Sequence, residues 1–263
     1  MTDTRVRRAP RSIAGVLAAV CCASAWLAAC TPPSRNLQAG SYRAVVDSPG
    51  GDLPFGIDIA KEEKGFALYL VNGEERVAAT NLRTEPGKVS AVFPGGASTL
   101  TATISGGELR GDIAFAAPGG RTRKLPFKAV LGQAWRFFEQ PLSDNMDAAG
   151  RWAVTFTDDR GVQVRGVAEL RQKFERVTGT VVTKDAEHRV AGEVHGDQLL
   201  LSFFDGRAGL LYVAKANKKG ELEGEGWSLP STHLRFVAVR NPDATLEEAP
   251  VAAGADEPAV AAP

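Results

Sequence analysis

Between Gly40 and Val239 the chain is cut into short runs by glycine turns, and within those runs apolar residues occupy alternate positions. Leu53-Pro-Phe55-Gly-Ile57-Asp-Ile59 and Trp152-Ala-Val154-Thr-Phe156 show the pattern. A period of two sends successive side chains to opposite faces of a strand, so each run reads as half-buried β-structure. Phe66 to Val71 meets Arg76 to Ala79 across Asn72-Gly73. Asn-Gly favours a type I′ hairpin turn because both central residues take positive φ. Val89 to Phe93, Ser98 to Ile104 and Leu109 to Phe115 follow, separated by Gly95-Gly96 and Gly106-Gly107, with Gly119-Gly120 next. The stretch from Gly179 to Tyr212 reads as central strands, and no helix of ordinary length stands out. The expectation is an all-β chain of antiparallel meanders that close into barrels, since closure removes edges that would pair with other chains.

The pattern occurs twice. Gly40-Ser-Tyr42-Arg-Ala44 opens one unit and Leu125-Pro-Phe127-Lys-Ala129 closes it. Gly150-Arg-Trp152-Ala-Val154 opens a second, closed by Leu234-Arg-Phe236-Val-Ala238. From first glycine to last alanine the units span 89 and 88 positions, and Glu108-Leu-Arg-Gly111 matches Glu221-Leu-Glu-Gly224. The matching ends and near-equal lengths predict two tandem small β-domains, at 40–131 and 150–241. Residues 132–149 join them. Trp135, Phe137 and Phe138 make this linker too apolar to lie free, so it is expected to pack across a barrel mouth or between the domains, as a short helix or otherwise. An exposed aromatic patch for a partner is the functional alternative. The Ala-, Pro- and acid-rich residues 242–263 read as a disordered tail.

The first thirty residues carry a targeting pattern. Arg5, Arg7, Arg8 and Arg11 precede the apolar run Ile13 to Ala28, which ends in Leu27-Ala28-Ala29-Cys30. This resembles a bacterial lipoprotein signal, whose terminal cysteine is acylated. The resemblance implies a signal peptide at 1–29, lipidation, as by palmitate, at Cys30 and a tether over 30–39. Thr31 follows the cysteine, where inner-membrane retention usually uses Asp. The expected location is therefore the cell envelope, lipid-anchored to the outer membrane and facing the periplasm.

Charge and cysteine content exclude several functions. The whole chain has 31 basic and 31 acidic residues; residues 1–29 hold four and one of these, so the remainder is acidic by three. Such a chain gains no general affinity for nucleic acid, and none is expected as a partner. Cys21 and Cys22 leave with the signal and Cys30 is acylated, so no thiol remains for a redox cycle or a nucleophile.

The second unit resembles the N-terminal β-module that precedes the thioredoxin domain in TlpA-like thiol–disulfide oxidoreductases. The carrying residues are Gly150-x-Trp152-x-Val154-x-Phe156, Val177-Thr-Gly-Thr180-x-x-Thr183, Leu201-Ser-x-Phe204-Asp205-Gly206 and Ala238-x-Arg240-Asn241. The first unit is similar to the preceding half of that module through Leu53-Pro-Phe55 and Asn72-Gly-Glu-Glu75. In that family a Cys-x-x-Cys domain follows; here Asn241 leads into the low-complexity tail, so the family's redox activity is not carried over. Where the family has Asp-Tyr-Arg this chain has Glu187-His188-Arg189, and Phe203 and Ala208 replace a cysteine and a histidine.

Glu187, Arg189 and Asp205 are the candidate polar cluster, placed on strands expected to lie close together. A cluster inside a barrel would bind a ligand carboxylate or hydroxyl; alternatively Arg189 and Asp205 form a structural ion pair, or Asp205-Gly206 simply makes a turn. His188, His195 and His233 lack acidic ligands at metal-site spacing, so no metal is expected. Ser202 lacks the Gly-x-Ser-x-Gly setting of a hydrolase elbow. No catalytic residue and no cofactor is expected. The functional expectation is a non-enzymatic lipoprotein with a binding or accessory role, bound to the membrane by its anchor. Its partner is an envelope protein, such as a separate thioredoxin-like oxidoreductase. The alternative is a lipocalin-like barrel that carries a small apolar ligand.

Overall fold

A computed structural model describes residues 33–116, 121–229 and 232–246. The signal segment, Cys30 and residues 247–263 lie outside the described residues. What is described is almost entirely antiparallel β-structure, with one three-residue 3-10 turn at Pro94–Gly96. The first sheet contains β1 (Gly40–Ser48), β2 (Gly51–Glu62), β3 (Gly65–Asn72), β4 (Glu75–Ala78), β5 (Thr80–Glu85), β6 (Lys88–Val92), β7 (Ser98–Ser105), β8 (Glu108–Ala116) and β9 (Thr122–Leu131). The second contains β10 (Gly150–Asp158), β11 (Gln163–Lys173), β12 (Arg176–Thr183), β13 (Glu187–His195), β14 (Gln198–Phe204), β15 (Gly209–Ala216), β16 (Leu222–Ser228) and β17 (Thr232–Arg240).

The second sheet is a closed barrel in which each strand pairs with its sequence neighbours and β17 returns to β10. The first sheet is nearly closed. Its order is β4-β3-β2-β1-β9-β8-β7-β6-β5, so the two ends are consecutive pieces of chain. β4 pairs with β3, Ala79 continues that ladder by donating to Leu68 O at 2.8 Å, and β5 then pairs with β6. The handover carries a bulge between Thr80 and Arg83, with Asn81 at φ 51°. An extra residue in the left-handed conformation bends the strand and lets it change partner. β4 and β5 are therefore a single position of an eight-position barrel, broken in two.

The strand registers of the two sheets correspond. Tyr42, Ala44 and Val46 lie opposite Leu131, Ala129 and Phe127; Trp152, Val154 and Phe156 lie opposite Arg240, Ala238 and Phe236. Leu109 and Gly111 oppose Ala129 and Phe127, as Leu222 and Gly224 oppose Ala238 and Phe236. Gly111 and Gly224 are equivalent in a further respect. A Cβ on either would run into the neighbouring strand's backbone, at Thr101–Ala102 and at Val213–Ala214. Each sheet coils tightly at this inward-facing position, and a residue without a side chain permits it.

Both interiors are filled with side chains. The first holds Phe55, Ile57, Leu70, Leu100, Ile113 and Phe127, among others. The second holds Trp152, Phe156, Leu170, Leu201, Phe203 and Tyr212. A cavity of about 30 Å³ remains among Trp152, Phe156, Leu170, Leu201 and Tyr212. That is room for about one water, against the roughly 300–1,000 Å³ of a ligand pocket.

Two segments expected to be loose belong to the fold. The tether predicted over 30–39 is fixed from Ser34 onward, where Ser34 O and Arg35 O each accept a backbone N–H at 2.7 Å, from Gly106 and Gly87. Leu37 is buried in the first core, and Tyr42 Oη donates to Gln38 O at 2.9 Å. Trp152 Nε1 makes the equivalent bond to Ala148 O at 3.1 Å in the second unit. In both barrels the segment before the first strand crosses one end and is latched by an aromatic residue. The first residues of the tail predicted over 242–263 also belong to the fold: Ala244 is buried against Ala153 and Val167, and its carbonyl accepts from Arg151 Nε at 2.9 Å.

Candidate functional site

β14 is apolar on both faces, and the two faces serve different barrels. Leu199, Leu201 and Phe203 point into the second barrel; Ser202 and Phe204 point the other way and are fully buried. Phe204 enters the mouth of the first barrel. Its ring lies 4.4 Å from Phe55, 5.5 Å from Phe93 and 6.1 Å from Phe115, the last two edge-on. Asn72 at the end of β3 clasps its backbone, donating Nδ2 to Phe204 O at 2.6 Å and accepting from Phe204 N at 3.2 Å. Ser98 Oγ donates to Gly206 O.

The linker fills the remaining space at the junction without forming a helix. Arg136 Nε donates to Ser202 Oγ at 2.8 Å, and Ser202 Oγ donates on to Pro54 O at 2.6 Å. One Nη of Arg136 reaches Asn72 Oδ1 at 3.2 Å and Ser202 O at 3.3 Å. Glu193, buried on β13, receives the backbone N–H groups of Arg136, Phe137 and Phe138 at 2.7–2.8 Å. Withdrawal of the Arg136 guanidinium from water pushes its pKa down to about 9, with Glu193 opposing and Arg43 adding to the fall. Burial also lowers Arg43, partly offset by Asp52 and Glu193. Arg43 stacks 3.9 Å over Trp135 and donates Nε to Arg136 O at 2.7 Å. The aromatic linker is thus packing rather than an exposed patch: residues 135–138 wedge between the sheets. Met146 and Ala148 pack against the second barrel's core.

The predicted cluster of Glu187, Arg189 and Asp205 does not assemble. Ala191 lies opposite Ser202 across β13 and β14, so Arg189 shares a face with Phe204, and Asp205 falls on the other face. Glu187 and Arg189 are exposed on the outer surface. Asp205 Oδ1 accepts the N–H groups of Arg207 and Ala208 at 2.7 and 2.8 Å, which is the turn reading. The inward residue on β13 is His188, 4.9 Å from the Phe203 ring. Burial holds its pKa below 6.5, with Asp205 pulling the other way.

The other polar candidates are also accounted for. His195 stacks on Phe138 at 4.2 Å, and His233 Nδ1 lies 2.7 Å from Asp159 Oδ1. Ser202 is a wholly buried bridge between the sheets. Among the described residues no group of three His, Cys, Asp or Glu side chains is placed to hold a metal ion. No helix among them is long and apolar enough to cross a membrane.

Arg189 does line a different site. Where the β3–β4 turn of the first sheet meets the outer face of β11–β13, a groove of about 60 Å³ is bounded by Asn72, Glu74 and Glu75 on one side. Arg171, Thr178, Thr180 and Arg189 bound the other side. Thr178 opposes Arg171, and Thr180 opposes Arg189, so two guanidinium arms flank a pair of hydroxyls. The groove offers two exposed cations, two carboxylates and two hydroxyls to a polar surface. Alternation marks which of these residues face outward, but their meeting depends on how one barrel is set against the other.

No family model matches this chain, and no curated protein matches it. Among solved structures, it is similar to the crystal structure of a protein of unknown function from the DUF3598 family of Nostoc punctiforme PCC 73102. The two are 13% identical over 76% of this chain and 95% of that one, at a TM-score of 0.27, too low to bear on fold or role.

Proposed function

We propose that this chain is a non-enzymatic, lipid-anchored lipoprotein of the cell envelope, facing the periplasm, whose two joined barrels present a surface to a protein partner. The observation that carries the reading is the convergence of separate motifs at the junction. Asn72-Gly-Glu-Glu75 and Val177-Thr-Gly-Thr180 form the two walls of the groove, and Leu201-Ser-x-Phe204-Asp205-Gly206 is the plug beside it. These segments also carry the resemblance to the TlpA-like module, which makes a thioredoxin-fold protein the favoured class of partner. The filled interiors favour surface recognition over carriage of an apolar ligand.

Native mass spectrometry of the protein isolated from its own envelope tests the reading. A stoichiometric protein companion, lost on Arg171→Glu with Arg189→Glu, is the expected result. An added mass of small-molecule size, retained in that double variant, would overturn it in favour of a carrier. Palmitate labelling that persists in Cys30→Ser would overturn the assigned anchor.

A further inference from the structure

We infer that the end of the first barrel opposite the second barrel lies against the bilayer, so that the first barrel acts as a spacer of fixed length. The inference rests on the reading of Cys30 as the acylated residue. The chain is hydrogen-bonded into the fold at Ser34 and Arg35, and Leu37 is buried beyond them. Four residue steps separate Cys30 from Ser34. At no more than ~3.6 Å per step, the fold begins within ~14 Å of the acylated residue, whatever path those residues take. A ten-residue tether would allow the fold to stand more than twice as far from the bilayer; four residue steps keep this end close to it.

The surface it brings to the bilayer is defined by the topology. Ser34 and Arg35 bond to the Gly106 and Gly87 turns, at the same end as the Glu63–Lys64 turn and the close of β9. The charges there are Arg35, Lys61, Lys64, Lys88, Arg110 and Lys128 against Glu62, Glu63, Glu85 and the half-buried Glu108, which pairs with Arg110 and Lys128. The small basic excess adds a weak pull from anionic headgroups to the hold of the short connection. The exposed large apolar residues Leu142, Val162 and Phe174 all lie in the linker or the second barrel, so this end rests on the interface without inserting.

Contacts to the second barrel are made at the other end. They include Asn72 with Phe204, Gly73 beside Thr178, Ser98 with Gly206, and Pro54 with Ser202. A strand such as β8, nine residues long, rises on the order of 20–25 Å along the axis of a barrel with ordinary tilt. The groove lined by Arg171 and Arg189 is thereby held roughly that far above the headgroups, within reach of a periplasmic partner and out of reach of the membrane.

The test uses the full chain, acylated in cells and reconstituted into phosphatidylcholine vesicles containing brominated lipid. No cysteine follows Cys30, so Lys64→Cys and Lys219→Cys each provide one site for a fluorophore. The expected result is at least ~3-fold stronger quenching at position 64 than at 219. A 20-residue Gly/Ser insertion between Pro32 and Pro33, about 25 Å in root-mean-square span, should abolish that difference. Equal quenching at the two positions in a chain whose mass shows the acyl groups would overturn this orientation alone. A chain without acyl mass would overturn the lipoprotein reading and the orientation with it.

Discussion

Phe203 and Phe204 are neighbours in sequence, but they complete different cores, and exchanging each for alanine should damage different barrels. Phe204 is fully buried among Phe55, Phe93 and Phe115 of the first sheet. Phe203 is 4% exposed and packs inside the second. Removing a buried phenyl ring costs about 3–5 kcal/mol through lost transfer energy and the cavity left behind. At ~1.4 kcal/mol per decade, that lowers the protection of the affected core amides by roughly two to three and a half orders of magnitude where exchange reports opening of that barrel. Amide hydrogen exchange resolves the two sheets. Phe204→Ala should speed exchange at Ile57 and Leu100, although both lie on strands distant from it in sequence. Phe203→Ala should speed exchange at Val194 and Leu199 and affect the first sheet less. If Phe204→Ala leaves Ile57 and Leu100 within ~3-fold of wild type, the plug is not part of the first core. If both variants give the same map, the two barrels open as one unit and the division of β14 between two cores has no energetic meaning.

Three further outcomes follow from the same geometry. Glu193→Gln replaces an acceptor with a donor facing the linker N–H groups, and should lower stability by about 2–3 kcal/mol in urea titration; an unchanged midpoint would remove Glu193 from the junction. His188 should titrate below 6.5 by NMR, and Asp205→Asn should lower its midpoint further, because the carboxylate opposes the effect of burial. With a folded pKa below the unfolded one, the neutral imidazole's contribution is fully present above about 6.5 and is lost as pH falls from there to the folded value. His188→Gln should therefore flatten that part of the stability profile, and an unaltered acid slope would count against it. Gly111→Ala and Gly224→Ala should each cost about 1–3 kcal/mol through collision with neighbouring backbone; a marked inequality in thermal melts would weaken the structural equivalence of the two repeats.

Alternation exposed the strands, and the doubled motifs exposed the repeat, because a period of two and a shared register are local properties. What alternation does not reveal is what lies beyond each face. Leu199 to Phe204 reads as a strand apolar on both sides, yet nothing in it distinguishes the core entered by Phe203 from the one entered by Phe204. Arg189 and Asp205 were expected together because their strands are adjacent; a one-residue difference in parity puts them on opposite faces. Arg136 and Glu193 are not legible in the sequence, because their partners are backbone groups and uncharged side chains from distant segments, which leave no spacing pattern. Leu37 looked like one apolar residue in a polar lead-in, and only the end of the barrel it closes gives it a place.

The plug also sets an order in time. The first barrel's last strand ends at Leu131, but its core lacks Phe204 until some seventy further residues have emerged. Until then the aromatic mouth of Phe55, Phe93 and Phe115 stays uncovered. The N-terminal half therefore cannot reach its final state ahead of the C-terminal half, as an independent domain would. A nascent chain stalled before Phe204 would be a client for whatever shields apolar surface in its compartment, and the hairpin at Phe204-Asp205-Gly206 would release it.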